Sequence, residues 1–445
     1  MVAVLLVVTM AEAYPIADER KLGERFAVEA SAELPLLREP AVVDYVNRLG
    51  AKIVARLDAP QPFEYRFSVV RDGQLNAFAV PGGFVYVNSG LLLRVANEAE
   101  LAAVLAHEIG HTHAHHIVRQ QEKTQLLNYA AIAGMLLSVV HPAIGAAAMG
   151  VDATASLKYA REFEQEADYL GVRYMRAAGF DPHGMLTFMK TMWDEQRFMP
   201  SDQVPPYMMS HPLTAERIDH IEAATKNLPR IAGSEQPTFA LLRMQAIVEA
   251  TTATDATARR RGQPSGASGA QATALLGISR LYRGDARGAV LLLERASSGG
   301  VKGLAGDIGL ARLRSGDLPG SLLALRAAVE ADPDDAVSHA NLGRVLLGQH
   351  DATGAVQELT RAAALAPAID ATEWDLGQAY GKGGNAALGF YHLARALEMR
   401  GEVDQALADY EKATKLLKPG SEEAAVAAER STALAEITGH RVLGP

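Results

Sequence analysis

The chain has 445 residues, 49% of them apolar and 21% charged, a globular balance that excludes wholesale disorder and leaves room for about three domains. A formal charge of −9, with a pI near 5.8, argues against a protein built to grip nucleic acid. Cysteine is absent, which excludes disulfides, thiolate metal sites, a cysteine nucleophile and a lipid-bearing cysteine together, so any metal has to be held by His, Asp or Glu.

Along the chain, Val2 to Met10 form a short apolar run followed by Ala11-Glu12-Ala13, which reads as a secretory signal peptide over 1–13. No Lys or Arg precedes the run, and a buried N-terminal strand is the alternative. Apolar residues at three- and four-residue spacing (Leu22, Phe26, Ala30, then Val42, Val46, Leu49, Ile53) predict helices between Asp18 and Leu57. The period changes to two at Tyr65-Phe67-Val69, Phe78-Val80 and Phe84-Tyr86. Asp72-Gly73 and Pro81-Gly82-Gly83 break this stretch into three strands, a small antiparallel sheet. Asn97, with Glu100 three residues on, caps a helix running toward Ile117.

Residues 124–151 carry no charge. His111 and Glu164 flank them, and if both serve one site the segment returns to the side it left, which predicts an apolar hairpin near that site. Helices follow over 158–178, 182–197, 213–226 and 239–250, and residues 251–271 read as a linker. Beyond it, Leu276-Gly277, Ile308-Gly309, Leu342-Gly343 and Leu376-Gly377 recur, the last three at 34-residue intervals. Small residues accompany them at Ala289 and Ala296, Ala355 and Ala362, and Ala406 and Ala413, with prolines at 333 and 367. This pattern resembles tetratricopeptide repeats, an α-helical solenoid over 271–438 ending in a capping helix, with a concave face suited to peptides. Trp374 reads as packing inside a repeat.

His107-Glu108-Ile109-Gly110-His111 puts two imidazoles on one helix face, where they can meet one cation, with Glu108 placed to take a proton from water. A third ligand has to be a carboxylate or a histidine. Glu164 and Asp168 share a helix face four residues apart, offering one metal ligand and one carboxylate to accept the far N–H of a ligating histidine. His113, His115 and His116 read as surface or helix-end histidines.

The HEIGH sequence, Arg161-x-x-Glu164-x-x-Ala167-Asp168, His211-Pro212 with Arg217, and Asn76-Ala77-Phe78-Ala79-Val80-Pro81-Gly82-Gly83 together resemble the M48 zinc metallopeptidases. The resemblance implies a mainly α (α+β), zincin-like metallopeptidase domain over 14–232, joined through a helix and linker at 233–270 to the repeats. It implies one Zn²⁺ held by His107, His111 and Glu164, with Glu108 as general base. His211 would either steady the tetrahedral oxyanion or bind zinc and keep the resting enzyme shut. Arg217 would order that loop or stabilise charge. Asn76, Ala77, Phe78 and Ala79 would form an edge strand that pairs with extended substrate.

With a secretory N-terminus, the resemblance further implies a periplasmic zinc endopeptidase without a lipoprotein anchor. It would degrade misfolded or stalled outer-membrane proteins and also act as a chaperone, with its repeats docked on the outer-membrane assembly machinery or on clients. Peripheral membrane association is compatible with this reading; nucleic acid is not an expected partner. The alternative from another class is a repeat scaffold or chaperone with a vestigial or latent peptidase. A membrane-embedded protease sharing these motifs would need several further apolar spans.

Overall fold

The computed structural model describes residues 16–58, 63–119, 161–197, 200, 204–252 and 269–442. The expected signal peptide at 1–13, the apolar hairpin at 124–151 and most of the 251–271 linker lie outside the described residues. The described chain is mainly helical with one small sheet. Its elements begin with α1 (Ile16–Glu33), α2 (Pro40–Val54), β1 (Arg66–Val70), β2 (Ala77–Val80), β3 (Phe84–Asn88), α3 (Ser89–Arg94) and α4 (Glu98–His113). They continue with α5 (Arg161–Ala177), α6 (His183–Gln196), α7 (Pro206–Ser210), α8 (Ala215–Thr225) and α9 (Phe239–Thr252).

The three strands lie in the order β1-β3-β2, and the sheet is mixed. β2 pairs antiparallel with β3 across the Pro81–Gly83 turn, as expected, whereas β1 pairs parallel with β3. The expectation of an all-antiparallel sheet fails at β1. Period-two alternation identifies a strand but not its direction, and the chain from β1 returns to the same end before β3 begins. Alternation gives each strand two buried faces. Phe67, Val69, Ala77, Ala79, Val85 and Val87 face α2 and α4, while Phe78, Val80, Phe84 and Tyr86 face Leu22, Phe26 and Ala30 of α1 and Leu34 just beyond it.

The C-terminal half stacks helices joined by short turns: α10 (Gly269–Tyr282), α11 (Ala286–Ser298), α12 (Ala305–Ser315), α13 (Leu318–Ala331), α14 (Ala336–Gly348) and α15 (Ala352–Leu365). It continues through α16 (Asp370–Lys382), α17 (Ala386–Met399) and α18 (Val403–Leu416) to the long final helix α19 (Glu422–Val442). The 34-residue period has a packing cause. A Cβ on Gly277, Gly309, Gly343 or Gly377 would sit 2.9, 2.5, 2.5 or 2.8 Å from Leu293, Leu325, Leu359 or Leu393 respectively. Each glycine is thus the slot that receives a leucine of the paired helix, and the missing side chain sets how closely the pair approaches. Asp285, Asp317, Asp351 and Asn385 cap the second helices by accepting from Gly288, Gly320, Gly354 and Leu388 N–H. Trp374 packs within the last repeats beneath the Arg400 guanidinium, 4.7 Å from its ring centre. Among the described residues, no helix is long and apolar enough to cross a membrane.

Candidate metal centre

Helix α4 starts where the sequence places it. Asn97 accepts from Glu100 N–H at 3.0 Å, and the Glu100 carboxylate reaches back to Ala96 N–H at 2.8 Å. From Ala99 to Thr112 every residue of α4 is buried, so His107, Glu108 and His111 are carried through the protein interior on a helix packed on all sides. Helix α5 crosses it closely: a Cβ on Gly110 would lie 3.1 Å from the Ala167 carbonyl oxygen. That approach sets Glu164 and Asp168 against the two histidines.

Three imidazole nitrogens and one carboxylate oxygen converge. His107 Nε2 lies 3.0 Å from His111 Nε2 and 3.2 Å from His211 Nδ1. Glu164 Oε1 is 3.3 Å from His111 Nε2 and 3.1 Å from His211 Nδ1. A tetrahedral zinc ion with N/O bonds near 2.0–2.2 Å separates its ligand atoms by about 3.3 Å, so these distances match the edges of such a polyhedron. Protons alone satisfy the arrangement poorly, because imidazole nitrogens face one another. The donor set of His107, His111, Glu164 and His211 therefore fits a borderline divalent cation such as zinc.

The carboxylates are arranged to suit a cation. Burial alone would push Glu164 up, but His211, Arg217 and the two ring nitrogens hold it well below the usual carboxylate range. Asp168 is likewise held low, by Arg217 and His107 against its burial. Its Oδ1 sits 3.0 Å from His107 Nδ1, on the far side of that ring from the cluster. Arg217 is 2% exposed, which excludes a surface role. Its Nε and Nη2 donate to both Asp168 oxygens at 2.7 and 2.8 Å, Nη1 lies 2.7 Å from Glu164 Oε2, and the same Nη1 donates to the Pro212 carbonyl. One guanidinium thus links both carboxylates to the loop carrying His211.

Glu108 is fully buried beside the cluster, 3.5 Å from His211 Nε2, and burial raises its carboxyl above the ordinary value, with His211 and His107 opposing. It also faces β2. Asn76 carbonyl accepts from Asn88 N–H, so residues 76, 78 and 80 form the hydrogen-bonded pairs with β3. The N–H and C=O groups of Ala77 and Ala79 consequently point to the outer edge of the sheet, which is buried, and Ala79 N–H is the backbone group that acts on Glu108. Asn76 is completely buried, and neither of its amide atoms has a hydrogen-bond partner among the described residues.

One expectation is corrected here. His116 is neither exposed nor at the end of a continuous helix. Helix α4 stops at His113, His115 takes a left-handed conformation (φ 53°), and the chain turns His116 back under the site. His113 and His115 stay half-buried near the helix end, with His115 Nδ1 2.6 Å from Glu19 Oε2. The sequence reading missed His116, Glu166 and Arg119 because no helical period crosses the break. Tyr207, whose ring centre lies 4.8 Å from that of His211, has no motif around it.

Comparison with known proteins agrees with this geometry. Residues 40–225 match peptidase family M48. The chain is 35% identical over 204 residues to a putative β-barrel assembly-enhancing protease of Vibrio cholerae, covering 44% of this chain and 41% of that protein. It is 30% identical over 230 residues to the β-barrel assembly-enhancing protease of Escherichia coli, covering 50% and 47%. The mitochondrial metalloendopeptidase OMA1 of Schizosaccharomyces pombe is 31% identical over 185 residues, covering 40% and 51%. The chain spans about half the length of the curated relatives it matches.

Proposed function

Residues 40–225 being a peptidase family M48 domain, we propose that the chain is a zinc endopeptidase of the bacterial periplasm that degrades misfolded or stalled outer-membrane proteins. The observation that carries the reading is the convergence of His107, His111, Glu164 and His211 beside a buried Glu108 and the outer strand of the sheet. The similarity to proteins named as β-barrel assembly-enhancing proteases supports a role tied to β-barrel assembly, and with it docking of the repeats on outer-membrane assembly partners or clients.

His107, His111 and Glu164 would hold the ion, one per chain. Zinc at that position supplies Lewis-acid polarisation of the scissile carbonyl and acidifies the attacking water. Glu108 takes the water proton and returns it to the leaving amine, and its raised pKa suits that exchange. Asp168 fixes His107 through Nδ1, and Arg217 fixes Asp168. Once that buried edge is uncovered and Ala79 N–H leaves Glu108, the outward N–H and C=O groups of Ala77 and Ala79 would pair with an extended substrate, a contact that accepts many sequences. Asn76 offers its amide to the same peptide. His211, brought into the same cluster, would complete the donor set and so keep the resting site shut; with its loop moved away, a water molecule and the substrate carbonyl would gain access.

The test is incubation of the purified protein with an unfolded outer-membrane β-barrel protein and with its folded form. Cleavage of the unfolded form alone, faster in His211→Ala than in wild type, is the expected result. Slower cleavage in His211→Ala would make His211 an oxyanion-stabilising group instead of a latch. No cleavage by either protein, with client aggregation still suppressed, would favour the scaffold reading.

A further inference from the structure

The two α4 histidines are held by different partners. His107 Nδ1 faces a carboxylate, Asp168, which is anchored by Arg217. His111 Nδ1 instead lies 2.8 Å from His116 Nδ1, and His116 Nε2 lies 3.1 Å from Glu166 Oε2. Glu166 in turn accepts from Arg119 Nη1 at 2.9 Å. The His116 ring is completely buried and stacked on Phe163, with centroids 4.5 Å apart and planes 15° from parallel. The Arg119 guanidinium lies over the Phe163 ring, 4.8 Å from its centre.

Only one set of tautomers suits this chain when His111 turns Nε2 toward the cation. Its proton then sits on Nδ1 and is donated to His116 Nδ1, which leaves the His116 proton on Nε2 to be donated to Glu166. The backbone is shaped to the same end: without the left-handed turn at His115, residue 116 would continue along α4 and miss His111.

We propose that His116, oriented by Glu166 and Arg119, is a positioning residue that fixes the tautomer and ring orientation of His111 for metal binding. The proposal rests on the reading of His111 as a ligand. Groups placed this way behind a ligating histidine set metal affinity by about 10- to 100-fold.

The experiment is zinc affinity by chelator competition on the full chain, with thermal melting of the metal-free protein as a control. His116→Phe keeps the stack on Phe163 and removes the acceptor. It should weaken zinc binding by about 10- to 100-fold while the metal-free melting temperature holds. His116→Gln, whose amide can accept from one side and donate to the other, should recover part of that loss. Glu166→Ala, a change at a half-exposed carboxylate, should shift affinity in the same direction by a smaller factor, and Glu166→Gln should not. Unchanged affinity in a folded His116→Phe protein overturns the proposal, as does a lowered metal-free melting temperature with affinity intact. If His116→Phe fails to fold, Glu166→Ala decides, and an unchanged affinity there overturns it. Absence of zinc binding by the wild type would sink the ligand assignment itself, a separate result.

Discussion

Arg217 shows how much of the site depends on one side chain. It is nearly inaccessible to water, and it neutralises Asp168 and Glu164, each 3% exposed or less. Replacing it with Met keeps the bulk and leaves two buried carboxylates without their cation. Breaking a buried pair in this way costs about 3–5 kcal/mol. In a fold of this size that corresponds to a fall of very roughly 10 °C in the first melting transition, measurable by differential scanning calorimetry. Added zinc should restore part of the loss, because the ion repays some of the missing charge. An Arg217→Met protein that melts like wild type would show that the guanidinium contributes little. His107, Glu108, His111, Glu164 and Asp168 were all legible from spacing, since helical periodicity dictates which side chains share a face. Arg217 was visible only as part of a motif, its partners being 49 and 53 residues away in sequence.

At the scale of elements, α2 carries a buried acid with a measurable signature. Asp44 is 6% exposed, and burial raises its pKa to about 6, with Asp335 and Asp332 of the repeats adding to the rise and Arg48 opposing it. The folded state therefore holds the proton more tightly than the unfolded chain does. The sign follows: relative to a neutral side chain this group costs nothing below about pH 4, becomes destabilising as pH rises through 6, and is a constant penalty above that. Asp44→Asn should stabilise the protein at pH 7.5 by up to about 3 kcal/mol and by almost nothing at pH 4. Urea denaturation at the two pH values checks this, and an equal effect at both would assign the gain to something other than ionisation. The strands and the N-cap at Asn97 were legible because alternation and capping are local. The parallel pairing of β1 was not, because a strand's pattern names its faces and not its neighbour.

Across the whole molecule, the apolar core does not stop at the peptidase helices. One cluster of buried residues runs from Leu37 and α2 through α9 into α10, α11 and α12 of the repeats. Arg243 of α9 meets Asp307 of α12 in a two-pronged pair at 2.9 and 2.7 Å, and Asp307 is 2% exposed. At the far end, Arg430 of α19 reaches Glu24 of α1, and Arg38 donates to the Met399 carbonyl. Glu39 sits beside Arg243, Arg314 and Arg344, so the chain's own 38–39 segment lies across successive helices of the array. The 34-residue period made the solenoid legible, but these joints link residues more than 60 positions apart and leave no local pattern. Asp307→Ala should cost about 2–4 kcal/mol, because Arg243 loses its partner while keeping some contact with water. It should also split thermal unfolding into two transitions; a single transition at the wild-type temperature would mean that the repeats are held by the apolar core alone.

The most direct test of the central claim is the rate of casein cleavage by wild type and Glu108→Gln at equal, measured zinc content. Zinc bound at about one ion per chain in both proteins, with a loss of at least about 100-fold in rate in the variant, is the predicted result. Equal rates, or a wild type that retains no zinc, would contradict the assignment of these residues to a zinc peptidase site.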